Sequence, residues 1–180
     1  MNKISDIIIE VETKDLEVTK TRTTVRAIIL RNKEVLMVYA SKFMDYTFPG
    51  GGLKLDETHL EGLKRELKEE LGANEIKSYK PFGYMEEKRF GFSNNHSVYL
   101  QTSYYYIVEI DGLGKQSLVG REIDHGVEPR FVEIDEAIRV NMKANSEYHH
   151  HKGMKTVLPR EIKVLQTLKK YLEDESFEKV

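Results

Sequence analysis

With 180 residues and 39% hydrophobic side chains, the chain suits one globular domain spanning 1–180. A net charge of −2 gives no reason to expect strong nucleic-acid binding, and the absence of cysteine excludes a disulfide framework and thiol chemistry. No long apolar run is present, and the opening MNKISDIIIEVE lacks the basic and apolar regions of a secretion signal, so the expected location is the cytoplasm, away from any membrane.

Residues 1–22 hold an apolar run, Ile7 to Ile9, between charged flanks. It reads as a short strand extension, lying on the domain edge or pairing with a second subunit of a homodimer, and both placements stay open. Thr24 to Leu30 and Val35 to Tyr39 are rich in strand formers, with Arg31-Asn32-Lys33-Glu34 as a turn, which predicts a hairpin. Its second strand runs toward a glycine loop. Ala40 to Thr47 reads as a loop between them, where Lys42 offers a cation to a phosphate and Phe43 and Tyr46 offer rings to a base. A surface loop with one anchoring aromatic is the plainer account of each.

The most informative stretch is P-G-G-G-L-K-L-D-E-T-H-L-E-G-L-K-R-E-L-K-E-E-L-G-A, from Pro49 to Ala73. Thr58 followed by Glu61 forms a capping box, and Gly72 stands where a helix ending at Leu71 needs a left-handed residue. Gly62 costs that helix roughly 1 kcal/mol against alanine, which implies close packing on its backbone. At about 100° per residue, Leu60, Leu63, Leu67 and Leu71 make one buried stripe. Glu66, Glu69 and Glu70 gather on another face with Gly62 and His59, although like charges at this spacing destabilise a helix by roughly 0.2–0.5 kcal/mol per pair. A divalent cation removes that repulsion, and Mg²⁺ or Mn²⁺ prefers oxygen ligands. Gly50, Gly51 and Gly52 let a metal or phosphate approach backbone carbonyls and amides.

The stretch resembles the signature of Nudix hydrolases, G-x5-E-x7-R-E-U-x-E-E-x-G-U, with U a bulky apolar residue. Gly51, Glu57, Arg65, Glu66, Leu67, Glu69, Glu70 and Gly72 match at the family spacing. Ala73 is smaller than usual at the last position, and Asp56 stands where a glycine commonly precedes the first glutamate. Neither departure touches a presumed ligand.

Beyond the signature, Ile76 to Tyr79 and Phe82 to Glu87 read as strands, Lys88 to His96 as a loop, and Ser97 to Ile110 as the longest strand. Leu118 to Pro129 reads as a loop carrying Arg121, Glu122, Asp124, His125 and Glu128, followed by a short strand from Arg130 to Val132 and a helix from Asp135 to Val140. Arg121 and His125 are substrate-binding candidates. Tyr148-His149-His150-His151 reads as a polar loop, since adjacent histidines cannot all face one point. Pro159 fits the first turn of a last helix running to about Leu172, with Ile162, Leu165, Leu168 and Leu172 as its apolar stripe.

Strands around one strongly marked helix, with another helix at the end, predict an α+β domain. The resemblance implies more: a Nudix-type α/β/α sandwich with a mixed β-sheet between helices. It also implies a pyrophosphohydrolase in which Glu66, Glu69, Glu70 and the Gly50 carbonyl hold Mg²⁺ or Mn²⁺. Arg65 would pair with Glu57 to fix the loop against the helix. A glutamate outside the signature often assists in this family, and Glu122 and Glu128 are the candidates. The implied substrate is a small-molecule nucleotide, a nucleoside triphosphate or nucleotide sugar ahead of RNA. A binding module that keeps the fold without catalysis ranks second, because every presumed ligand is intact.

Overall fold

The computed structural model describes residues 1–91, 97–118, 121–147 and 154–177. Its strands are β1 (Ile8–Ile9), β2 (Lys20–Ile28), β3 (Leu30–Arg31), β4 (Glu34–Ala40), β5 (Asp45–Thr47), β6 (Gly50–Gly52), β7 (Ile76–Phe90), β8 (Val98–Ile110) and β9 (Val127–Glu133). Its helices are α1 (His59–Leu71), α2 (Arg121–His125), α3 (Ile134–Glu147) and α4 (Val157–Phe177). Five strands form a mixed sheet in the order β1-β7-β8-β2-β6, while β3, β4, β5 and β9 form a second, antiparallel one.

Strand residues alternate between two cores. Val25 and Ala27 of β2, Leu36 and Val38 of β4, and Tyr106 and Val108 of β8 pack with Leu63, Leu67 and Leu71 of α1. Their neighbours Ile28, Val35, Met37 and Tyr105 pack on the opposite side with Ala137 of α3 and Val164, Leu165 and Leu168 of α4. Burial on both faces is why β4 reads as an almost continuous apolar run. The outcome is the mixed-sheet α/β/α sandwich expected. None of the described helices is long and apolar enough to cross a membrane.

Several boundaries differ from the sequence reading. The expected hairpin of Thr24–Leu30 with Val35–Tyr39 does not form, because β2 is claimed by β8 and β6 in the other sheet. The hairpin that does form is short, β3 with β4, and it turns at Asn32 with φ 58°. The Ala40–Thr47 loop contains β5, held by paired bonds between the Tyr46 backbone and the Asn141 side chain. Strand β7 runs on to Phe90 with an irregularity at Pro81, where proline cannot donate to a ladder. The Leu118–Pro129 loop instead holds α2 and the first residues of β9. Helix α4 extends beyond both expected ends.

The N-terminal run lies on the sheet edge. Ile8 and Ile9 pair parallel with Glu87 and Lys88, and Lys3 bridges to Tyr84. Gly83 makes room, since a Cβ there would sit 2.5 Å from Ile4.

Asp45 at the start of β5 is buried beside Glu161, and burial followed by that like charge lifts its carboxyl from 3.8 to about 7. The fold therefore favours protonated Asp45. The stability attached to it is complete below about pH 4 and is lost as pH rises through about 7. Asp45→Asn, which cannot ionise, is expected to exceed the parent in urea-denaturation stability at pH 8 by on the order of 1–3 kcal/mol, and by little at pH 4. Equal stabilities at pH 8 would contradict this.

Candidate active site

Helix α1 is built as its sequence dictates. The Thr58 hydroxyl accepts the Glu61 amide, the Glu61 carboxylate accepts the Thr58 amide at 2.8 Å, and Gly72 closes the helix in the left-handed region at φ 66°. The close packing inferred at Gly62 is present: a Cβ there would meet Leu53 at 2.3 Å and Val25 at 3.2 Å. Leu63, Leu67 and Leu71 are buried as the stripe requires, and Leu60 is half-buried. The loop after β8 caps the other end. The amides of Gly114 and Ser117 donate to the carbonyls of Leu71 and Glu69, and the Gln116 side chain donates to that of Glu70.

Arg65 fastens the glycine strand to this helix. Its Nε and Nη2 donate to the two oxygens of Glu57, each at 2.8 Å, the fork predicted from the signature. Nη2 also donates to the Gly52 carbonyl at 3.0 Å, and Nη1 to Glu66 Oε1 at 2.7 Å. The guanidinium bonded to Glu57 holds that carboxyl down at about 2. The reciprocal bond raises Arg65 above its ordinary value.

The three helix glutamates do share one face, in unequal states. Glu66 and Glu70 are buried, and Glu70 Oε2 accepts the Gly50 amide at 2.7 Å. Glu69 is more open, its nearest cation being Arg65 at 3.7 Å. Gly51 is a cradle for Glu66, because a Cβ would fall 2.5 Å from Oε1 and 2.7 Å from the carboxyl carbon. The Gly50 carbonyl, expected to face a cation, accepts Arg26 Nη1 at 2.6 Å. A carbonyl oxygen keeps a second lone pair for another partner. Among the described residues no three His, Asp or Glu side chains converge into a ready cation cage, as Glu66 and Glu70 are turned onto Arg65 and Gly50.

The other candidates separate. Lys42 and Phe43 meet His125: the Lys42 amide donates to the His125 carbonyl, and the Phe43 ring lies edge-on to the imidazole at 4.7 Å. Gln116 links the Glu70 carbonyl to that of Val127, two residues past His125. Tyr46 is in the core, 5.0 Å from Tyr39, and its ring is taken up by packing. Glu128 pairs with Arg130, whose guanidinium stacks on Tyr39 at 3.9 Å. The side chains of Arg121 and Glu122, and all of Tyr148–His151, lie outside the described residues.

Sequence reasoning missed Arg22, Arg26 and a polar group under the glycine strand. Buried Arg160 bonds Glu87 and Glu161, and Glu161 accepts the Phe48 amide at 3.0 Å. The signal was Arg160-Glu161, a charged pair inside the otherwise apolar side of α4. His59 Nδ1 lies 2.6 Å from the Tyr106 hydroxyl, and burial lowers its pKa.

A helix whose carboxylates are clamped beside a glycine strand, in an α/β/α sandwich, defines an enzyme class that works on phosphate anhydrides. A family model described as NUDIX domain matches residues 20–155. The chain belongs to that family and is a Nudix-type pyrophosphohydrolase. A NUDIX hydrolase from Nitrosomonas europaea shares the fold at a TM-score of 0.52, with 18% identity over 86% of this chain and 90% of that one. A MutT protein from Bacillus halodurans aligns with 22% identity over 66% and 72% of the two chains at a TM-score of 0.49. A MutT NUDIX hydrolase from Burkholderia pseudomallei aligns with 19% identity over 64% and 84% at 0.47. No curated protein matches the sequence significantly.

The cradle gives a direct test. In Gly51→Ala the new methyl displaces a flexible carboxylate rather than backbone, so the fold survives and the Glu66 position does not. The variant should keep a melting temperature within a few degrees of the parent's and lose most of any Mg²⁺-induced rise in it. A full Mg²⁺ response would show that Glu66 need not sit against Gly51.

Proposed function

We propose that this chain is a divalent-metal-dependent hydrolase that cleaves the pyrophosphate bond of a nucleoside diphosphate linked to another moiety, a nucleoside triphosphate or nucleotide sugar in particular. The observation that carries it is the charge balance at the clamp. Glu57, Glu66 and Glu69 gather around the Arg65 guanidinium, whose bonds go to Glu57 and Glu66, and Glu70 accepts the Gly50 amide beside them. The surplus negative charge sits in oxygen ligands beside a strand without side chains, a donor set that suits Mg²⁺ or Mn²⁺.

Glu66, Glu69 and Glu70 would hold the cation, with the Gly50 carbonyl contributing its remaining lone pair. When bound, the cation neutralises charge on the diphosphate and acidifies water. The chain's own residues do the rest. Arg65 keeps the carboxylates of Glu57 and Glu66 apart and aligned, so the face costs little reorganisation when substrate arrives. The bare backbone of Gly51–Gly52 admits a phosphate without steric conflict. Water attacking phosphorus must release a proton, and Glu69, with the fewest commitments of the three, has a carboxylate oxygen to accept it. Lys42, Phe43 and His125 lie together and would meet the nucleoside end of the substrate. Arg121 belongs to the same proposed pocket by its place in α2, and Glu122 and Glu128 remain proposed auxiliary bases. Residues 1–180 act as one domain in this reading, in the cytoplasm.

The experiment is a panel of nucleoside triphosphates, nucleotide sugars and dinucleoside polyphosphates with Mg²⁺ or Mn²⁺, scored for release of nucleoside monophosphate. At least one member should turn over, and Glu69→Gln and Glu70→Gln should each lower kcat/KM on it by a factor on the order of a hundred or more. Apo stability should stay level or rise slightly, since like-charge repulsion is relieved. Tight nucleotide binding with no turnover of any panel member would replace the hydrolase with a binding module.

A further inference from the structure

Lys20, Arg22, Thr24 and Arg26 alternate along β2 and share the face opposite α1. Three of them are engaged. Lys20 lies over the Tyr99 ring at 5.8 Å, Thr24 donates to Ser103 at 2.8 Å, and Arg26 donates to the carbonyls of Phe48 and Gly50 at 2.9 and 2.6 Å. Arg22 has no hydrogen bond or ion pair among the described residues, although it is half-buried. Its guanidinium lies close against the glycine strand, where a Cβ on Gly52 would sit 2.9 Å from Nη2 and 3.2 Å from Nε. Burial, with the nearby charges of Arg26 and Arg160, pulls its pKa below the ordinary arginine value against the opposing influence of Tyr99 and Glu66. Arg160 cannot be its partner, and the Glu87 and Glu161 carboxylates are already bonded to Arg160. A desolvated guanidinium whose N–H groups have no hydrogen-bonded partner costs stability in the free protein.

The glycine strand joins this charge to the carboxylate face. Gly51 yields space to Glu66 on one side, and Gly52 yields space to Arg22 on the other. β6 is the edge strand of its sheet, so a ligand lying along it reaches both. We propose that Arg22 is a substrate-binding residue whose guanidinium grips a phosphate oxygen of the diphosphate lying along Gly51–Gly52. This rests on the diphosphate reading above and adds the cation that the signature does not contain. A planar guanidinium fork beside a bare backbone suits two phosphate oxygens at once, a geometry that lysine does not reproduce.

The probe is methylenediphosphonate, a non-hydrolysable diphosphate, titrated calorimetrically with Mg²⁺ present into the full chain and into Arg22→Gln, Arg22→Lys and Gly52→Ala. Arg22→Gln should weaken binding by about tenfold or more, Arg22→Lys less, and Gly52→Ala should weaken it by displacing the guanidinium. The Mg²⁺-induced rise in melting temperature should persist in all three, and the ligand-free melting temperature of Arg22→Gln should not fall. Binding by Arg22→Gln within about twofold of the parent overturns the proposal, as does a parent that does not bind the probe. A ligand-free melting temperature several degrees lower in Arg22→Gln also overturns it, by assigning Arg22 to structure. Hydrolysis of the nucleotide panel by the parent is scored separately. Arg22-dependent binding in a protein that hydrolyses nothing sustains the anion site and removes the hydrolase.

Discussion

The site depends on one guanidinium. Arg65 spends four donor contacts on three partners, Glu57, the Gly52 carbonyl and Glu66, and so joins the glycine strand, the loop after it and α1 into one unit. Bidentate charge-assisted bonds in a half-buried setting are stronger and more directional than exposed ion pairs. Without this clamp, Glu66 would face Glu69 and Glu70 with nothing to fix its carboxylate, and the helix would carry their repulsion alone. With it, the repulsion is concentrated on the open side, where a cation can relieve it.

The glycine strand needs support from below as well, since it has no side chains of its own to bury. That support comes from α3 and α4. Asn141 brackets the Tyr46 backbone, Glu161 takes the Phe48 amide, and Arg26 holds the carbonyls of Phe48 and Gly50. Arg160 bonds both Glu161 and Glu87 inside the core. A buried charge pair of this kind is weak evidence for stability, because desolvation offsets its attraction. Its consequence here is positional: it ties a distant helix to the backbone that leads into the glycine strand.

What was legible in the sequence was local. The capping box at Thr58, the left-handed Gly72, the Leu63–Leu67–Leu71 stripe, the Glu57–Arg65 pair and the crowding at Gly62 are set by spacing within one helix and its preceding loop. What was not legible depends on which strand pairs with which. The alternation in β2 and β4 suited a hairpin equally well, and only the parallel pairing of β2 with β8 over nine residues decided otherwise. The antiparallel pairing of β2 with β6 puts Arg22 beside Gly52, far apart in sequence, where no motif could signal it. Tyr46 is held in the core by Tyr39 against its ring and by Asn141, 95 residues away, on its backbone, and neither contact is signalled locally. Lys42 and Phe43 meet His125 because β4 pairs with β9, which brings Ala40 opposite Val127.

The central claim is that the clamped carboxylate face directs water onto a phosphorus atom of a diphosphate. It is tested most directly by running the best substrate of the chain in ¹⁸O-labelled water and reading the products by mass spectrometry. The account predicts one ¹⁸O per turnover, carried by a phosphate product and dependent on added Mg²⁺ or Mn²⁺. Label entering a non-phosphate product, or turnover that proceeds unchanged with a chelator in place of the cation, would contradict it.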